Sequence, residues 1–308
     1  MSSTAASPPA SPPYATRRLT DIVRRSRPLL GTYVAIGVGL PETQALRAID
    51  AGFAAVAEIH RLMSFHEPDS DVSRLNRAGG GSAVCVDPHT FAVLTQAQHM
   101  AEASNSVFDI TVAPDLVAWG FLPRPEGPEP DPAASWRDIE LTVPNIVRLH
   151  KPLWIDLGGV AKGYAVDRAM TAMNLSADVQ CSVNAGGDLR VQGPAPERIL
   201  LRAPVDGWQV PIVELENASL ASSSGRDNLR SLDNAEVGPH VHGGTHKSVG
   251  TQSFVSVVAQ DCIVADALTK IVLALGAGAD AILKAHNATG YLHDGQRDRG
   301  WRTFGAIQ

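Results

Sequence analysis

A lysine that follows a pair of glycines at a predicted helix start is the first candidate for chemistry. In "WIDLGGVAKGYAVDRAM", an apolar run ends at Gly158 and Gly159, and Lys162 stands at the start of a helical pattern. Unpaired N–H groups at a helix start attract anions, and glycine lets a phosphate approach the backbone closely. The stretch suits a phosphate or a pyrophosphate, although it fits neither the P-loop nor the dinucleotide-binding pattern. A strand-to-helix turn without a ligand explains the same residues equally well.

Two further stretches could place backbone and hydroxyl groups near the same ligand. In "SVNAGGDLRVQG", a predicted strand meets Gly186, Gly187 and Asp188, where the backbone could approach a ligand and a carboxylate could face it. A two-residue Gly-Gly hairpin turn is the competing interpretation. "SLASSSGRDN" is predicted as a small polar loop with several hydroxyls, and a solvated turn is the favoured interpretation when this stretch is taken alone.

An aspartate inside an apolar helix pattern is the next candidate. Asp266 lies within "CIVADALTKIVLALG", where an unpaired buried carboxylate would be costly. Lys270 follows four residues later on the same helix face, so an ordinary ion pair accounts for the aspartate. The functional interpretation is a carboxylate that binds a metal ion or positions a phosphate.

Three histidines stand close together in "GPHVHGGTHKSVG", at His240, His242 and His246. Imidazole is a common metal ligand. The loop is rich in glycine, however, and lacks the cysteines or the helical frame of a zinc site. Proton transfer by one of these histidines is therefore the better interpretation.

The elements that must position these residues alternate between helix and strand patterns. In the first half, "LLGTYVAIGVGL" predicts a strand, a helix follows Pro41, and a second helix runs from Pro88 to near Asn105. Between the helices, "SFHEPDSDVSRLNRAGGG" is predicted as a polar, turn-rich segment. "FDITVAPDLVAWGF" is predicted as a loop, and the proline-rich residues 122–133 as a surface excursion.

The second half alternates more finely. Strands are predicted for "LWIDL", "CSVNA", "LRVQG", "RILLRAP", "PIVELE" and "SFVSVVA". Helices are predicted after Gly159, through "CIVADALTKIVLALG", and in "ADAILKAHNATG" with Asn287 or Gly290 near its end. Helices interleaved with strands and hairpins predict an α+β fold.

Charge, cysteines and the first residues limit the class of protein. The formal net charge of −6 argues against nucleic-acid binding, which needs a basic face. Cys85, Cys181 and Cys262 fit no zinc spacing and are predicted to be buried free thiols. Residues 1–27 are predicted to form a disordered Ser-, Ala- and Pro-rich tail. Because no apolar run of signal-peptide length stands before Pro28 and no segment is long and apolar enough to span a membrane, a cytoplasmic location is expected.

Taken in order, these blocks resemble the ApbE family, the FAD:protein FMN transferases. The resemblance runs from about Leu30 to Gly276 and rests on "LLGTYVAI", "LMSFHEPDSDVSRLN", "FDITVAPDLVAWGF", "IDLGGVAKGYAVD", "VNAGGDLRVQG", "ASSSG" and "ADAL". It implies a single ApbE-like domain over residues 28–308, with mixed or antiparallel sheets, flanking helices and an architecture related to the T-fold.

The resemblance implies a reaction as well as a fold. The family moves the FMN half of FAD onto a threonine or serine hydroxyl of an acceptor flavoprotein and releases AMP. FAD and that acceptor would be the partners, and Mg²⁺ would lie between the pyrophosphate and protein oxygens. The alternatives are an FAD diphosphatase, in which water replaces the acceptor hydroxyl, and a non-catalytic FAD carrier.

The resemblance also assigns roles to individual residues. The metal ligands would be the carbonyl of Ala161 and the carboxylate of Asp266. By this resemblance His240 and Asp266 would be catalytic residues, and Lys270, at a position where this sequence departs from the family, is the third catalytic candidate. The residues expected to contact FAD are Met63, Ser64, Asp109, Gly159, Lys162, Asn184, Gly186, Gly187, Asp188 and Ser224, with Met63 and Ser64 near the adenine half.

Three positions depart from the family pattern. Lys270 stands where a threonine usually follows the "ADAL" aspartate by four residues. We hypothesise that its ammonium group partly substitutes for Mg²⁺ or weakens its binding. His240 aligns with the family's histidine, a candidate for proton transfer, but "HGGTH" replaces the Asp-Pro that normally follows. His66 stands where the family often has an aromatic residue near the flavin nucleotide, and an imidazole can still stack.

Overall fold

The computed structural model describes residues 22–202, 210–226, 228–232, 235–296 and 300–306. The helices are α1 Glu42–Met63, α2 Asp71–Ala78, α3 Pro88–Ala103, α4 Ala113–Ala118, α5 Ala161–Met173, α6 Cys262–Leu275 and α7 Asp280–Ala285. The strands are β1 Val23–Leu29, β2 Thr32–Val38, β3 Ala83–Cys85, β4 Ile139–Thr142, β5 Ile146–Leu149, β6 Cys181–Ala185, β7 Asp188–Gln192, β8 Glu197–Leu200, β9 Ile212–Leu215, β10 Ser219–Ser224, β11 Arg230–Leu232, β12 Ala235–Val237, β13 Val241–His242, β14 Lys247–Ser248, β15 Phe254–Ala259, β16 Thr289–His293 and β17 Arg302–Gly305.

A large antiparallel sheet is the centre of the fold. Among the described residues, eight strands form it in the order β1-β2-β6-β7-β10-β15-β16-β17. Helix α1 packs against α5, α5 against α6, and α6 against β10 and β15, so the helices share one core with the sheet. Val34, Ile36 and Val38 alternate along β2 and are fully buried, as the period of two in a strand requires. The predicted α+β fold is confirmed.

The first two strands form a hairpin, although the sequence predicts one strand over "LLGTYVAIGVGL". A turn at Leu30 and Gly31 separates β1 from β2, and both residues have positive φ, 56° and 69°. Strand β1 starts at Val23 and pairs along its whole length with β2. The predicted disordered tail is therefore wrong for residues 23–27, while residues 1–21 lie outside the described residues.

Three predictions about loops and strands need correction. The segment predicted as turn-rich contains α2, which Ser70 caps by accepting a hydrogen bond from Ser73 N at 3.0 Å. The predicted loop "FDITVAPDLVAWGF" contains the short helix α4. "LWIDL" is not assigned to any strand. Residues 122–133 carry neither helix nor strand, and none of them is buried.

One amide side chain explains why "LWIDL" needs no partner strand. Asn76 of α2 is buried, and its Oδ1 accepts from Ile155 N at 2.7 Å. The Asn76 Nδ2 donates to Ile155 O at 3.0 Å. Buried backbone groups must find partners, and here a single side chain supplies both. The run thus stays buried beside the cleft without joining a sheet.

We expect Asn76→Ala to lower the free energy of unfolding by about 2–4 kcal/mol, because the N–H and C=O of Ile155 each lose a partner in a buried place. Urea unfolding followed by circular dichroism measures the change. Gln96→Ala on α3 is the control, since in the described part of the chain this amide makes no hydrogen bond to a buried backbone group. Equal stability of the two variants would contradict the role given to Asn76.

Helices α5 and α6 cap each other's N-termini. Asp266 of α6 accepts from Gly163 N at 3.0 Å through Oδ2. Asp167 of α5 accepts from Cys262 N at 3.0 Å and from Ile263 N at 2.9 Å. Each carboxylate satisfies an N–H group at a helix start and interacts favourably with the helix dipole. Gly163 permits this approach, since a Cβ there would lie 2.3 Å from the Cys262 carbonyl oxygen.

The C-terminal helical run has the length and composition of a membrane span, which the sequence analysis does not predict. In the described part of the chain, Cys262–Ala285 is the run that passes this test, with a mean hydropathy of 1.7. Of its most apolar window, 56% is buried inside the structure. Because α6 packs against β10 and β15, a core helix accounts for the same composition.

The cysteines follow the prediction in part. All three are free, and Cys181 and Cys262 are buried as predicted. Cys85 is exposed, which corrects the prediction for this residue. It ends β3, an edge strand of a small sheet in the order β3-β5-β4, so one side of it faces solvent.

Candidate functional site

A cleft of about 940 Å³ opens beside the start of α5. Its walls come from the end of α1, the loop before α4, the turn before α5, strand β10 and the segments 228–230 and 239–241. This volume lies in the usual range of small-molecule sites. The predicted site residues that line it are Met63, Ser64, Asp109, Gly159, Ala161, Lys162, Gly186, Ser224, His240 and Lys270.

Two lysines and two aspartates form a cluster in the cleft wall, called here the lysine–aspartate cluster: Lys162, Lys270, Asp188 and Asp266. Lys162 Nζ lies 2.5 Å from Asp188 Oδ2 and 3.9 Å from Asp266 Oδ1. Lys270 Nζ also contacts Asp266 Oδ1. The aspartate side chains are 1% and 0% exposed, whereas Lys162 is 31% and Lys270 14% exposed. The cluster therefore presents its positive groups to the cleft and keeps its carboxylates behind them.

The two carboxylates of the cluster have opposite pKa shifts. Burial acts to raise the pKa of Asp266, but the charges of Lys162 and Lys270 outweigh it and hold the pKa below its ordinary value. Burial, together with the negative charge of Asp266, raises the pKa of Asp188. Burial acts to lower the pKa of Lys162, but Asp188 and Asp266 raise it overall. Lys162 is thus charged at any physiological pH.

The oxygens of the cluster do not fit a magnesium ion. Mg²⁺ prefers octahedral oxygen geometry and usually takes one or two protein carboxylates beside waters and substrate phosphates, so at least one carboxylate oxygen must be open to it. Asp266 Oδ1 faces two ammonium groups, and its Oδ2 accepts the Gly163 N–H. Asp188 Oδ1 is buried and has no hydrogen-bond partner among the described residues, but it offers a single atom. In the described parts of the chain, no group of three or more His, Cys, Asp or Glu side chains could hold a metal ion.

A hydrogen bond to a backbone carbonyl holds the His240 ring at the cleft. Its Nε2 lies 3.2 Å from the Ser224 carbonyl oxygen. A carbonyl only accepts, so Nε2 carries the proton and Nδ1 is the basic atom. Burial and the charge of Lys270 lower the pKa of His240 to about 3. The imidazole is therefore neutral near pH 7, with Nδ1 unprotonated.

Four predicted site residues do not line the cleft: Asn184, Gly187, Asp188 and Asp266. Asp188 and Asp266 affect the cleft indirectly, because both contact the ammonium group of Lys162. Asn184 Oδ1 accepts from Gly187 N at 3.0 Å inside the β6–β7 turn. Gly186 and Gly187 have φ values of 66° and 108°, so the hairpin interpretation holds for both glycines. Gly186 also lines the cleft. A Cβ at Gly186 would lie 2.6 Å from Thr32 Oγ1, so the close packing against Thr32 favours glycine here.

The polar residues before and within α4 differ in their roles. Asp109 Oδ1 accepts from Thr111 N at 2.8 Å and from Thr111 Oγ1 at 2.7 Å, and burial raises the Asp109 pKa. At least one of its oxygens is therefore engaged in the loop.

His246 Nδ1 lies 2.8 Å from Asp115 Oδ2, which anchors the histidine loop to α4. His66 lines the cleft and meets Phe65 edge-on, with ring centroids 6.4 Å apart.

The sequence analysis does not predict the strand position of the serine stretch, nor that Asp156 and Arg230 line the cleft. "ASSSG" is predicted as a loop, but its serines belong to strand β10, where Ser223 Oγ lies 2.7 Å from Thr269 Oγ1. Asp156 lines the cleft, accepts from Gly158 N at 3.1 Å, and has a pKa raised by burial. Asp156 stands within the motif "IDLGGVAKGYAVD", so the sequence could have indicated it as a site residue. Arg230, which lies over the Phe121 ring at 4.9 Å, gives no signal in the sequence.

The fold and the site together define an α+β protein with a cleft whose wall carries two ammonium groups. The model of the ApbE family matches residues 30–292, so the chain belongs to the ApbE family. A protein of Vibrio cholerae serotype O1 named FAD:protein FMN transferase is 26% identical over 280 residues, which are 82% of this chain and 81% of that protein. A Rhodobacter capsulatus protein of the same name is 29% identical over 201 residues, 61% of this chain and 38% of that protein.

Solved structures agree with this family. The crystal structure of the ApbE protein from Thermotoga maritima superposes with a TM-score of 0.77 and 25% identity, covering 88% of this chain and 94% of that one. The flavin transferase ApbE from Vibrio cholerae gives a TM-score of 0.74 at 20% identity, with 93% and 97% of the two chains covered. The second likeness is one of fold.

Proposed function

We propose that this protein binds FAD and transfers its FMN half to a threonine or serine hydroxyl of an acceptor flavoprotein. The observation that carries the proposal is the pair of ammonium groups, Lys162 and Lys270, in the wall of a cleft of about 940 Å³. Phosphoryl transfer depends mostly on positioning and on neutralising charge. Two fixed positive charges in a cleft of this size suit a dinucleotide pyrophosphate.

The proposed reaction forms one phosphoester bond and breaks one phosphoanhydride bond. The acceptor hydroxyl oxygen attacks the phosphorus of the FMN half, and AMP leaves with the bridging oxygen. The hydroxyl proton passes to His240 Nδ1, which is the basic atom because Nε2 faces the Ser224 carbonyl. The leaving AMP phosphate takes up negative charge, which Lys162 can neutralise.

The rest of the cleft supports the two halves of FAD. Met63 and Ser64 end α1 at one wall, where the family resemblance expects the adenine half. Phe108 and His66 line the same cleft, and aromatic rings favour contact with flat ring systems. Mg²⁺ is no part of the proposed steps, because the oxygens of the lysine–aspartate cluster do not fit it. The cytoplasmic location expected from the sequence stays a prediction.

Incubation with FAD and candidate acceptor flavoproteins tests this function. We expect AMP release in a one-to-one ratio with an acceptor whose mass rises by that of FMN minus water. AMP release without any acceptor would indicate FAD hydrolysis instead, and bound FAD that is never turned over would indicate a carrier. The names of the relatives support neither alternative.

A further inference from the structure

Asp266 already has a full set of positive and donor groups around it. Oδ2 accepts the Gly163 N–H at 3.0 Å, while Oδ1 faces Lys270 Nζ in direct contact and Lys162 Nζ at 3.9 Å. The carboxylate is fully buried. No oxygen of Asp266 is therefore open to a cation unless an ammonium group moves away first.

The lysine–aspartate cluster is also balanced in charge. Two lysines face two aspartates, and both aspartates are buried. A divalent cation added to this set would bring two further positive charges next to two ammonium groups, and like charges at such distances repel strongly. The pyrophosphate of a bound FAD would meet the two ammonium groups, because the lysines line the cleft while the carboxylates lie buried behind them.

The position of Lys270 is set by its packing. Its side chain is 14% exposed and runs over Gly159, whose missing Cβ would lie 3.6 Å from Lys270 Cε. The ammonium group thus lies between Asp266 and the glycine turn that opens α5. Both Gly159 and Lys270 line the cleft.

We infer that Lys270 is the permanent cation of this site: its ammonium group occupies the place of a divalent metal ion on Asp266, and the chain binds and turns over FAD without Mg²⁺. This inference rests on the proposed function for its substrate. It concerns the chain's own residues, and direct metal binding tests it independently of FAD.

Electron paramagnetic resonance of Mn²⁺, used as a probe for divalent cations, is the first test. We expect the wild-type protein without FAD to leave Mn²⁺ free in solution. Lys270→Thr exposes Asp266 Oδ1 and adds a hydroxyl oxygen, so it should bind Mn²⁺ more tightly by at least about tenfold. Stoichiometric Mn²⁺ binding by the wild-type protein that Asp266→Asn abolishes would overturn the inference.

FAD titration followed by flavin fluorescence is the second test, with EDTA or with Mg²⁺. For the wild type we expect the same affinity in both conditions. Lys270→Thr should lose about tenfold to a hundredfold in EDTA, the worth of a charged hydrogen bond, and recover with Mg²⁺. Lys270→Met should lose as much without recovery, and Lys247→Thr, which changes the exposed lysine of strand β14, is the matched control.

The two tests separate this inference from the proposed function. Wild-type FAD affinity that rises about tenfold or more with Mg²⁺ would overturn the inference and leave FAD binding intact. Absence of FAD binding in both conditions would instead remove the proposed function, and the Mn²⁺ experiment would still decide the role of Lys270. If Lys270→Thr does not fold, the wild-type measurements and Lys270→Met decide the question.

Discussion

Lys162→Met is expected to abolish FAD binding and to destabilise the protein by about 3–5 kcal/mol, the usual effect of breaking a buried ion pair by removing one partner. Lys162 is the group that joins the two aspartates of the cluster, at 2.5 Å from Asp188 and 3.9 Å from Asp266. Without it, Asp266 keeps Lys270, but Asp188 loses its ion-pair partner in a fully buried position. Methionine keeps most of the volume, so the loss is one of charge rather than of packing.

A double variant separates stability from binding. In Lys162→Met/Asp188→Asn, the buried negative charge is removed together with its partner, so most of the lost stability should return. FAD affinity should not return, because the positive charge in the cleft is still missing. Urea unfolding measures the first quantity and flavin fluorescence the second. Lys151→Met is the control, since Lys151 bonds to Asp138 outside the cleft. Full FAD affinity in either Lys162 variant would contradict a pyrophosphate at this lysine.

The parts of the fold that could be predicted are those with strong local patterns. Helix α1 follows Pro41 with apolar residues at the helical period, and strands β6 and β15 are short apolar runs between turn residues. The ion pair of Asp266 and Lys270 also follows from sequence, because residues four apart share one helix face. Such features depend on neighbours along the chain.

The parts that could not be predicted depend on contacts between distant segments. Asn76 meets Ile155, 79 positions away, and replaces a strand that the apolar pattern favours. Asp167 and Asp266 exchange helix caps across about a hundred residues, which makes the start of α5 partly an internal anion site. In the site, the spacing of Lys162 and Lys270 in sequence gives no sign that both ammonium groups meet at one carboxylate oxygen.

His240→Gln is expected to slow FMN transfer by about a hundredfold to ten-thousandfold, the usual contribution of a positioned acid or base. FAD affinity should change little, because the glutamine amide can still donate to the Ser224 carbonyl that His240 contacts at 3.2 Å. Single-turnover transfer to an acceptor measures the rate, and flavin fluorescence measures the affinity. A variant that loses affinity and rate equally would indicate that His240 binds FAD instead of moving a proton.

The pH dependence of the transfer rate is a second test of His240. Burial and the nearby Lys270 lower the pKa of His240 to about 3, whereas an unperturbed histidine titrates near pH 6.5. A base with the lower pKa stays unprotonated as the pH falls through 6.5, so the wild-type transfer rate should show no loss there. In Lys270→Met, one of the positive charges that lower the pKa is gone, so any loss of rate in acid should begin at a higher pH than in the wild type. A wild-type rate that halves near pH 6.5, and a Lys270→Met profile that coincides with it, would mean that His240 is open to solvent during turnover and that Lys270 does not act on it.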